Sequence, residues 1–254
     1  MPKPLQTLSS LAVLGLFLLA WELAPPALGV PKYIIPTASQ TWNELMLMFP
    51  RHNLVWHFTS TLTMTVAGFV IGSLAGAIGG YLLGMSTFWE RVLSPYLLAL
   101  QIAPKVAFAP LFIMWFGYTF WPKLLVTILV VFFPILVNVL QAMKTVDRDQ
   151  VNLARAYSLS RWQIFWKIEF PASMPALLAG LRIGATLAVI GVTVGELVGG
   201  NTGLGFLITY GEGQANAAMV FNAIILLTVI GIALYAAVAT AEERILHYIP
   251  KAQR

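Results

Sequence analysis

Long apolar runs divide this sequence and limit what it can fold into. Only 10% of its 254 residues are charged, 59% are hydrophobic and the mean hydropathy is +0.81, whereas about 25% of the residues of a soluble domain are charged. A helix that crosses a bilayer needs about 20 apolar residues and satisfies its own backbone hydrogen bonds. The sequence therefore predicts an all-α membrane protein with six transmembrane helices. The predicted spans are Leu8–Leu23, Phe58–Met85, Leu93–Phe116, Pro122–Ala142, Ala176–Val198 and Met219–Ala239.

These spans divide the chain into four predicted parts. They are an N-terminal transmembrane helix (1–24), an extracytoplasmic segment with a short helix over 37–49 (25–57), a five-helix core (58–245) and a cytoplasmic tail (246–254). The first helix can also be interpreted as a cleaved signal peptide, because Ala24 and Ala27 supply small residues near its end. Trp21 and Glu22, which stand just before that point, favour a retained helix.

The longest polar interval after residue 60 lies between the fourth and fifth spans, at residues 147–175, and we call it the elbow. Two short helices are predicted in it, Asp149–Leu159 and Arg161–Phe170, with Ser160 as the N-cap of the second. Pro171 is predicted to end the second helix, because proline removes a backbone donor and restricts the residue before it.

Basic residues are distributed unevenly about these spans. On the elbow side lie Lys3, Arg91, Lys144, Arg148, Arg155, Arg161, Lys167, Arg244, Lys251 and Arg254, and on the other side only Lys32, Arg51 and Lys123. The positive-inside rule therefore places the elbow and both termini in the cytoplasm. Orientation alone accounts for the net charge of +5, so the sequence predicts a lipid bilayer as partner and no nucleic acid.

A row of glycines marks the second span. Glycines recur at every fourth position and form one stripe down a helix, at Gly68, Gly72, Gly76, Gly80 and Gly84. Small residues at this spacing allow a neighbouring helix to approach to backbone contact, which predicts packing within the bundle. A sliding surface that moves during transport is the alternative interpretation.

Four polar residues fall within or near the ends of apolar spans. They are Gln101, Lys105, Asn138 and Glu196. The third span is also interrupted by Pro95, Pro104 and Pro110, and such breaks occur where protein or a wet cavity satisfies the freed carbonyls. An ammonium near mid-membrane must face protein or water. Lys105 therefore either pairs with a carbonyl or with Glu196, or belongs with the other three to a solute path.

Several kinds of site are not supported by the sequence. The chain has no cysteine, which excludes disulfides and thiolate metal sites. No histidine forms a spaced set with carboxylates, so neither a metal site nor an intramembrane enzyme is predicted. The glycines of GGNTGLG predict a flexible outer loop after the fifth span, and this loop lacks the lysine of a phosphate-binding motif.

The elbow sequence NLARAYSLSRWQIFWKIEFP resembles the signature of binding-protein-dependent ABC importer permeases, E-A-A, three residues, G, nine residues, I, any residue, L-P. The spacing is kept throughout. Asn152, Leu153 and Ala154 stand at the E-A-A positions, Ser158 at the glycine and Pro171 at the proline. Asn152, Leu153 and Ser158 depart from the pattern.

The resemblance covers roughly residues 55 to 245. QIAPKVAFAPLFIMWFG, FFPILVN, PALLAGLRIG, GELVGG and NTGLGFLI resemble the nitrate, sulfonate and taurine branch of these permeases, which includes carriers of pyrimidine vitamin precursors and riboflavin. The resemblance implies a type I ABC importer permease-like bundle with a cytoplasmic coupling loop at 143–175. It implies a transport subunit for a small organic or oxyanion solute in the bacterial inner membrane, and not an enzyme.

The resemblance also implies partners. Two cytoplasmic ATP-binding subunits would receive the first elbow helix, a second copy of the permease would complete the pathway as a homodimer, and an extracytoplasmic solute-binding protein would deliver the solute. The implied coupling residues are Asn152, Leu153, Ala154, Ala156, Tyr157, Ser158, Leu159 and Pro171. ATP and magnesium would be held by the ATPase, because this chain lacks a G-x-x-x-x-G-K-[ST] motif.

Two readings of the chain remain beside this one. Trp162, Phe165 and Trp166 could anchor an amphipathic elbow that rests on lipid. A stand-alone secondary transporter would need its own coupling-ion site and usually inverted repeats, and no convincing repeat is evident in the sequence.

Overall fold

The computed structural model describes the backbone of residues 3–248 and the side chains of residues 9–247. Its elements are α1 (Lys3–Ala27), α2 (Ala38–His52), α3 (Leu54–Gly84), α4 (Thr87–Ile102), a 3₁₀ turn (Lys105–Phe108), α5 (Ala109–Phe116), α6 (Trp121–Thr145), α7 (Arg148–Ala156), α8 (Arg161–Ile164), a π-helical turn (Phe165–Glu169), α9 (Phe170–Gly199), α10 (Leu204–Gly213), α11 (Ala217–Ile245) and a 3₁₀ turn (Leu246–Tyr248). The prediction of an all-α membrane protein is confirmed. Most of the predicted tail, 246–254, lies outside the described residues.

Five helical stretches of the described chain are long and apolar enough to cross a membrane. A sixth crossing exists if α4 and the Lys105–Phe116 stretch count as one broken span, since they are bent by 80°. Pro104 lies at this break and has no N–H for the helical ladder. The break leaves carbonyls of the last turn of α4 without their usual partners, and the ammonium of Lys105 donates to the carbonyl of Gln101.

The centre of the bundle is α6, which packs between α3 and α9. Its buried side chains include Val131, Ile135 and Val139, which form one core cluster with residues of α3, α9 and the π-helical turn. The glycine stripe of α3 lies against this helix. A Cβ on Gly76 would stand 2.6 Å from the carbonyl oxygen of Phe132, and a Cβ on Gly80 would stand 2.8 Å from that of Leu136. The two backbones are therefore in direct contact, as small-residue helix interfaces allow.

Helix α1 is attached to the bundle only weakly. Almost none of it is buried against the rest of the chain. Its fixed end is held by the Trp21 indole N–H, which donates to the Pro36 carbonyl at 2.9 Å, and by Glu22, which accepts from the Ser39 backbone N–H at 2.9 Å. The helix extends to Ala27, beyond the predicted end at Leu23.

The predicted outer loop after the fifth span is much shorter than expected, because only residues 200–203 of it lie outside a helix. Residues Leu204–Gly213 form a helix, α10, which packs on α9 and α11. The glycines near its start allow close approach to neighbouring groups, and Gly203 adopts the left-handed backbone with φ +111°. A Cβ on Gly205 would stand 2.9 Å from the carbonyl oxygen of Thr193.

The prediction that Pro171 ends a helix is wrong. Residues Arg161–Gly199 form one continuous helical stretch. The π-helical turn Phe165–Glu169 comes just before the proline, and the N–H of Phe170 donates to the carbonyl of Phe165. A turn with five-residue spacing widens the helix locally, and the proline lies in the first turn of α9, where a missing N–H is tolerated.

Candidate functional site

The first helix of the elbow, α7, is short and fixed at both ends. The side chain of Asp147 caps its start by accepting from the N–H of Asp149 at 2.9 Å. At its end, the N–H of Leu159 donates to the carbonyl of Ala154 at 3.1 Å and the N–H of Ser158 to that of Arg155 at 2.8 Å. These two bonds define a Schellman motif. Ser158 takes the left-handed position, with φ 59°, where glycine is most favourable.

The side chains of α7 divide into an exposed and a buried set. Leu153 is 60% exposed and Tyr157 is 75% exposed, although both are large and apolar. Of the implied coupling residues, Ala154 is buried and faces inward, and Ser158 lies beyond the helix end. Asn152 and Ala156 are exposed, and Leu159 is half-buried. Leu153 and Tyr157, four residues apart, are therefore the apolar groups that a partner would meet.

The second half of the elbow begins at Ser160, and the predicted N-cap is confirmed. The Ser160 hydroxyl accepts from the N–H of Gln163 at 3.3 Å, and the Gln163 side chain accepts from the N–H of Ser160 at 2.8 Å. Trp162 and Trp166 are exposed, as a lipid anchor requires, whereas Phe165 is buried against Tyr81 with ring centroids 5.3 Å apart. Phe165 is therefore not available to lipid.

Hydrogen bonds from Arg161 and Ser173 connect the elbow to the bundle. The guanidinium of Arg161 donates to Glu169 at 2.8 Å and to the carbonyl of Met85, just after α3, at 3.0 Å. Ser173, at the start of α9, lies 3.1 Å from the hydroxyl of Tyr81 on α3. The elbow therefore contacts the end of α3 and is joined to the start of α9.

The four candidate path residues do not form one group. Lys105 contacts carbonyls of its own bend and lies 5.1 Å over the ring of Phe133. It forms no ion pair with Glu196 among the described residues. Asn138 donates to the carbonyl of Pro134 at 2.9 Å and lies against Gly180, and Gln101 is half-buried.

Glu196 is fully buried at the end of the bundle opposite the elbow. The Thr61 hydroxyl lies 3.0 Å from both of its carboxylate oxygens, the N–H of Gly205 donates to it at 2.9 Å, and the Lys123 ammonium is 3.8 Å away. Lys123 also donates to the carbonyl of Thr202 at 2.9 Å. We call Thr61, Lys123, Glu196, Thr202 and Gly205 the Glu196 cluster.

The Glu196 cluster joins α3, α6 and α9 to the turn before α10. The Thr61 hydroxyl also accepts from the N–H of Leu204 at 2.8 Å, and His57 accepts from the N–H of Gly203 at 3.0 Å. A buried ion pair of this kind needs further hydrogen bonds to offset its desolvation, and the cluster supplies them. Its geometry suits a structural clamp and leaves no free face for a solute.

Sequence reasoning missed Lys123, which was assigned to the outer surface but is only 4% exposed. Its burial could have been predicted from its position, since it lies inside the predicted span Pro122–Ala142, where an ammonium needs a partner. Among the described residues, no group of three or more histidine and acidic side chains is placed to hold a metal ion.

Comparisons with known proteins give the family. Residues 52–247 match the model of the family described as binding-protein-dependent transport system inner membrane component. The formylaminopyrimidine transport permease protein ThiX of Halalkalibacterium halodurans is 33% identical, over 99% of this chain and 100% of its own. The riboflavin transport system permease protein RibX of Chloroflexus aurantiacus is 34% identical, over 92% of this chain and 88% of its own.

A solved structure gives the same fold. A chain of the MetNI methionine ABC transporter in an inward-facing conformation superimposes with a TM-score of 0.63, at 22% identity, over 78% of this chain and 96% of its own. The chain described here belongs to the family of binding-protein-dependent transport system inner membrane components and is a permease of the ABC importer type.

Proposed function

We propose that the elbow is the surface on which a separate cytoplasmic ATPase docks, and that its movement opens a pathway between two permease copies. The exposure of Leu153 and Tyr157 on one face of α7 carries this proposal. Large apolar side chains that protrude together into water favour a partner surface, and burying each one contributes about 1.5–3 kcal/mol. The ATPase would hold ATP and magnesium, because this chain lacks the phosphate-binding motif.

The rigidity of the elbow supports a role in transmitting force. Both ends of α7 are capped, and Arg161 connects the elbow to the end of α3. The helical stretch that begins at Arg161 continues without interruption into the membrane as α9. Closure of two ATPases would therefore turn α9 and α3 together, and alternating access between the two copies follows.

A second copy of this chain is the proposed partner within the membrane. The broken span exposes large apolar side chains, among them Ile102, Met114 and Trp115, which supply surface for a homodimer. An extracytoplasmic binding protein would deliver the solute to the end of the bundle opposite the elbow. Family membership argues against a stand-alone secondary transporter.

The solute path is proposed to run past Gln101, Lys105 and Asn138 and not past Glu196, because Glu196 has no exposed surface. We favour a small heterocyclic solute, of the class that the names of the two permease relatives indicate. The contacts of Lys105 support this choice, since its ammonium is already directed at backbone carbonyls and an aromatic ring. A sulfonate-like or nitrate-like anion is the second candidate and would need Lys105 to be released.

Co-purification of the tagged permease with its ATPase tests the docking proposal. We expect Tyr157→Ala to weaken the association at least about tenfold, because an interface anchor contributes about 2 kcal/mol or more. Trp162→Ala is the matched control, since Trp162 is an exposed aromatic residue of the same elbow. Equal recovery of the ATPase with both variants would refute the assignment of Tyr157 as an anchor.

The absence of cysteine from the sequence permits a direct test of orientation. Gln150→Cys on α7 and Asn43→Cys on α2 place single thiols at opposite ends of the bundle. A membrane-impermeant maleimide added to intact cells is expected to label residue 43 and not residue 150, and inverted vesicles should give the opposite result. Labelling of residue 150 in intact cells would reverse the proposed topology.

The solute class can be tested on the solute-binding protein, if that protein co-purifies with the tagged permease. Thermal shift of that protein with pyrimidines and flavins on one side, and with sulfonates and nitrate on the other, is expected to show stabilisation by the heterocycles. Stabilisation by the anions alone would favour the second candidate.

A further inference from the structure

A charged pocket lies beside α7, on a face different from the one that carries Leu153 and Tyr157. It has a volume of about 650 Å³ and is enclosed by α7, the start of α4 and the end of α6. Arg148, Asn152 and Arg155, which share one side of the helix at spacings of four and three, line it. The pocket therefore lies on a different side of α7 from the exposed pair Leu153 and Tyr157, and of the implied coupling residues only Asn152 lines it.

The positive charge of this pocket exceeds its negative charge. Two of its basic groups are neutralised, since Lys144 pairs with Glu90 at 2.6 Å and Arg161 with Glu169 at 2.8 Å. Arg91, Arg148 and Arg155 also line it. None of these three forms an ion pair with another described residue. Three unpaired guanidiniums around one cavity favour an anion, and phosphate matches the geometry of their paired donors.

Position 152 increases this excess of positive charge. The permease signature has a glutamate there, and this chain has the neutral Asn152. A carboxylate at that position would lie in the same pocket as the three unpaired arginines. Because this carboxylate is absent, the three arginines remain available to an anion that is not part of the chain.

A buried oxygen of Glu169 indicates a second feature of the ligand. Glu169 is 6% exposed and lines the pocket; its Oε1 accepts from Arg161, but its Oε2 has no hydrogen-bond partner. An unpaired buried acceptor costs about 1–3 kcal/mol, so a donor from a ligand would relieve it. A group that carries both phosphate and hydroxyl would satisfy the arginines and Glu169 together.

Two exposed tryptophans are next to pocket-lining residues in the sequence. Trp89 on α4 and Trp162 on α8 are 55% and 63% exposed, and each lies within two residues of a pocket arginine in the sequence. Exposed tryptophans collect at the level of lipid headgroups, and basic pockets at that level bind anionic headgroups.

We propose that this pocket binds a phosphate ester with a free hydroxyl, such as the glycerophosphate headgroup of phosphatidylglycerol. A soluble glycerol phosphate presents the same chemistry. The site shares α7 with the proposed ATPase contact but not the side chains of Leu153 and Tyr157, and its other walls belong mainly to α4 and α6.

Native mass spectrometry of the purified permease, titrated with phosphatidylglycerol or phosphatidylcholine, tests the proposal. We expect phosphatidylglycerol to bind about tenfold more tightly, since both headgroups offer a phosphate to the arginines but only phosphatidylglycerol has a net negative charge and free hydroxyls that can donate to Glu169. Asn152→Glu, which restores the carboxylate of the signature, should abolish the preference for phosphatidylglycerol. The control Asn152→Gln has the same shape as Asn152→Glu but no charge, and it should keep the preference. Arg91→Gln should weaken the preference while ATPase co-purification is unchanged, which separates this site from the elbow contact.

A second arm identifies the source of the ligand. Isothermal titration with glycerol 1-phosphate and with inorganic phosphate measures binding of the soluble form. Binding of glycerol phosphate that is lost in Asn152→Glu, with no preference between the two lipids, would assign the pocket to a soluble ester and support the shared chemistry. Equal binding of both lipids without any binding of glycerol phosphate would overturn the proposal, as would an Asn152→Glu variant that behaves like the wild type.

Discussion

The elbow and the Glu196 cluster lie at opposite ends of the same bundle and use polar residues in opposite ways. In the elbow, the caps of α7 and α8 join groups within five residues of one another, and large apolar side chains remain exposed. In the cluster, Thr61 and Glu196 are 135 positions apart, and both are fully buried. One end of the bundle therefore leaves apolar side chains exposed, where we propose a partner surface, and at the other end buried polar contacts hold four segments of the chain together.

The largest effect that would test this contrast is expected from Glu196→Ala. The substitution removes the acceptor for Thr61 and Gly205 and leaves the buried Lys123 without its counter-charge. Loss of one partner of a buried pair costs about 3–5 kcal/mol. Thermal unfolding of the detergent-purified permease should show a large drop in midpoint. Glu196→Gln keeps the shape and serves as the control with a smaller loss, and an unchanged midpoint for Glu196→Ala would show that the cluster is not a clamp.

A steric change in the same region should have the next largest effect. Gly205→Ala places a methyl group 2.6 Å from Cβ of Glu196 and 2.9 Å from the carbonyl oxygen of Thr193. Because neither atom is the end of a flexible chain, overpacking is expected to cost about 1–3 kcal/mol. Gly213→Ala, at the other end of α10, meets no atom within 4 Å and should leave the unfolding midpoint nearly unchanged. Comparable melting of the two variants would argue that the start of α10 is loosely packed.

In the elbow, truncation of an exposed side chain should impair transport and leave the stability of the permease nearly unchanged. Leu153→Ala removes an apolar group that is already 60% exposed, so the free energy of unfolding is expected to change by less than about 0.5 kcal/mol. ATP-driven uptake by the assembled transporter should nevertheless fall, since the same group is proposed to contact the ATPase. Measurement of both quantities on one preparation separates stability from coupling, and a parallel loss of both would place Leu153 in the fold and not at an interface.

Features that depend on neighbouring residues in the sequence were the ones that the sequence predicted correctly. The spans, the N-cap at Ser160 and the glycine spacing all depend on local patterns, and the structure has helices, a cap and close helix contacts at those positions. The elbow signature is also local, because its residues are consecutive in the sequence.

The parts that were predicted wrongly depend on contacts between distant segments. A pair between Lys105 and Glu196 was one of the two alternatives, but the ammonium beside Glu196 is that of Lys123. Lys123 is 73 positions earlier in the sequence, and no spacing rule connects the two residues. The glycines around the start of α10 were predicted to form a flexible loop, whereas Gly203 and Gly205 both lie against Glu196. Pro171 was predicted to end the second elbow helix. The helix continues past it because a π-helical turn comes just before the proline, and no sequence pattern predicted that turn.

The smallest effect is expected at the position where the elbow departs from its own motif. Ser158 has φ 59°, a conformation that costs a non-glycine residue about 1–2 kcal/mol, whereas glycine adopts it freely but loses more backbone entropy on folding. Ser158→Gly is therefore expected to stabilise the end of α7 by about 0.5–1 kcal/mol. Hydrogen exchange of the Leu159 amide, which closes the Schellman motif, should slow by about two- to fivefold. Ser160→Ala is the contrasting variant, because it removes the N-cap of α8 and should quicken exchange there. If exchange at Leu159 is the same with serine and glycine, the left-handed turn is not strained, and the loss of the motif's glycine has no cost that the rest of the elbow must offset.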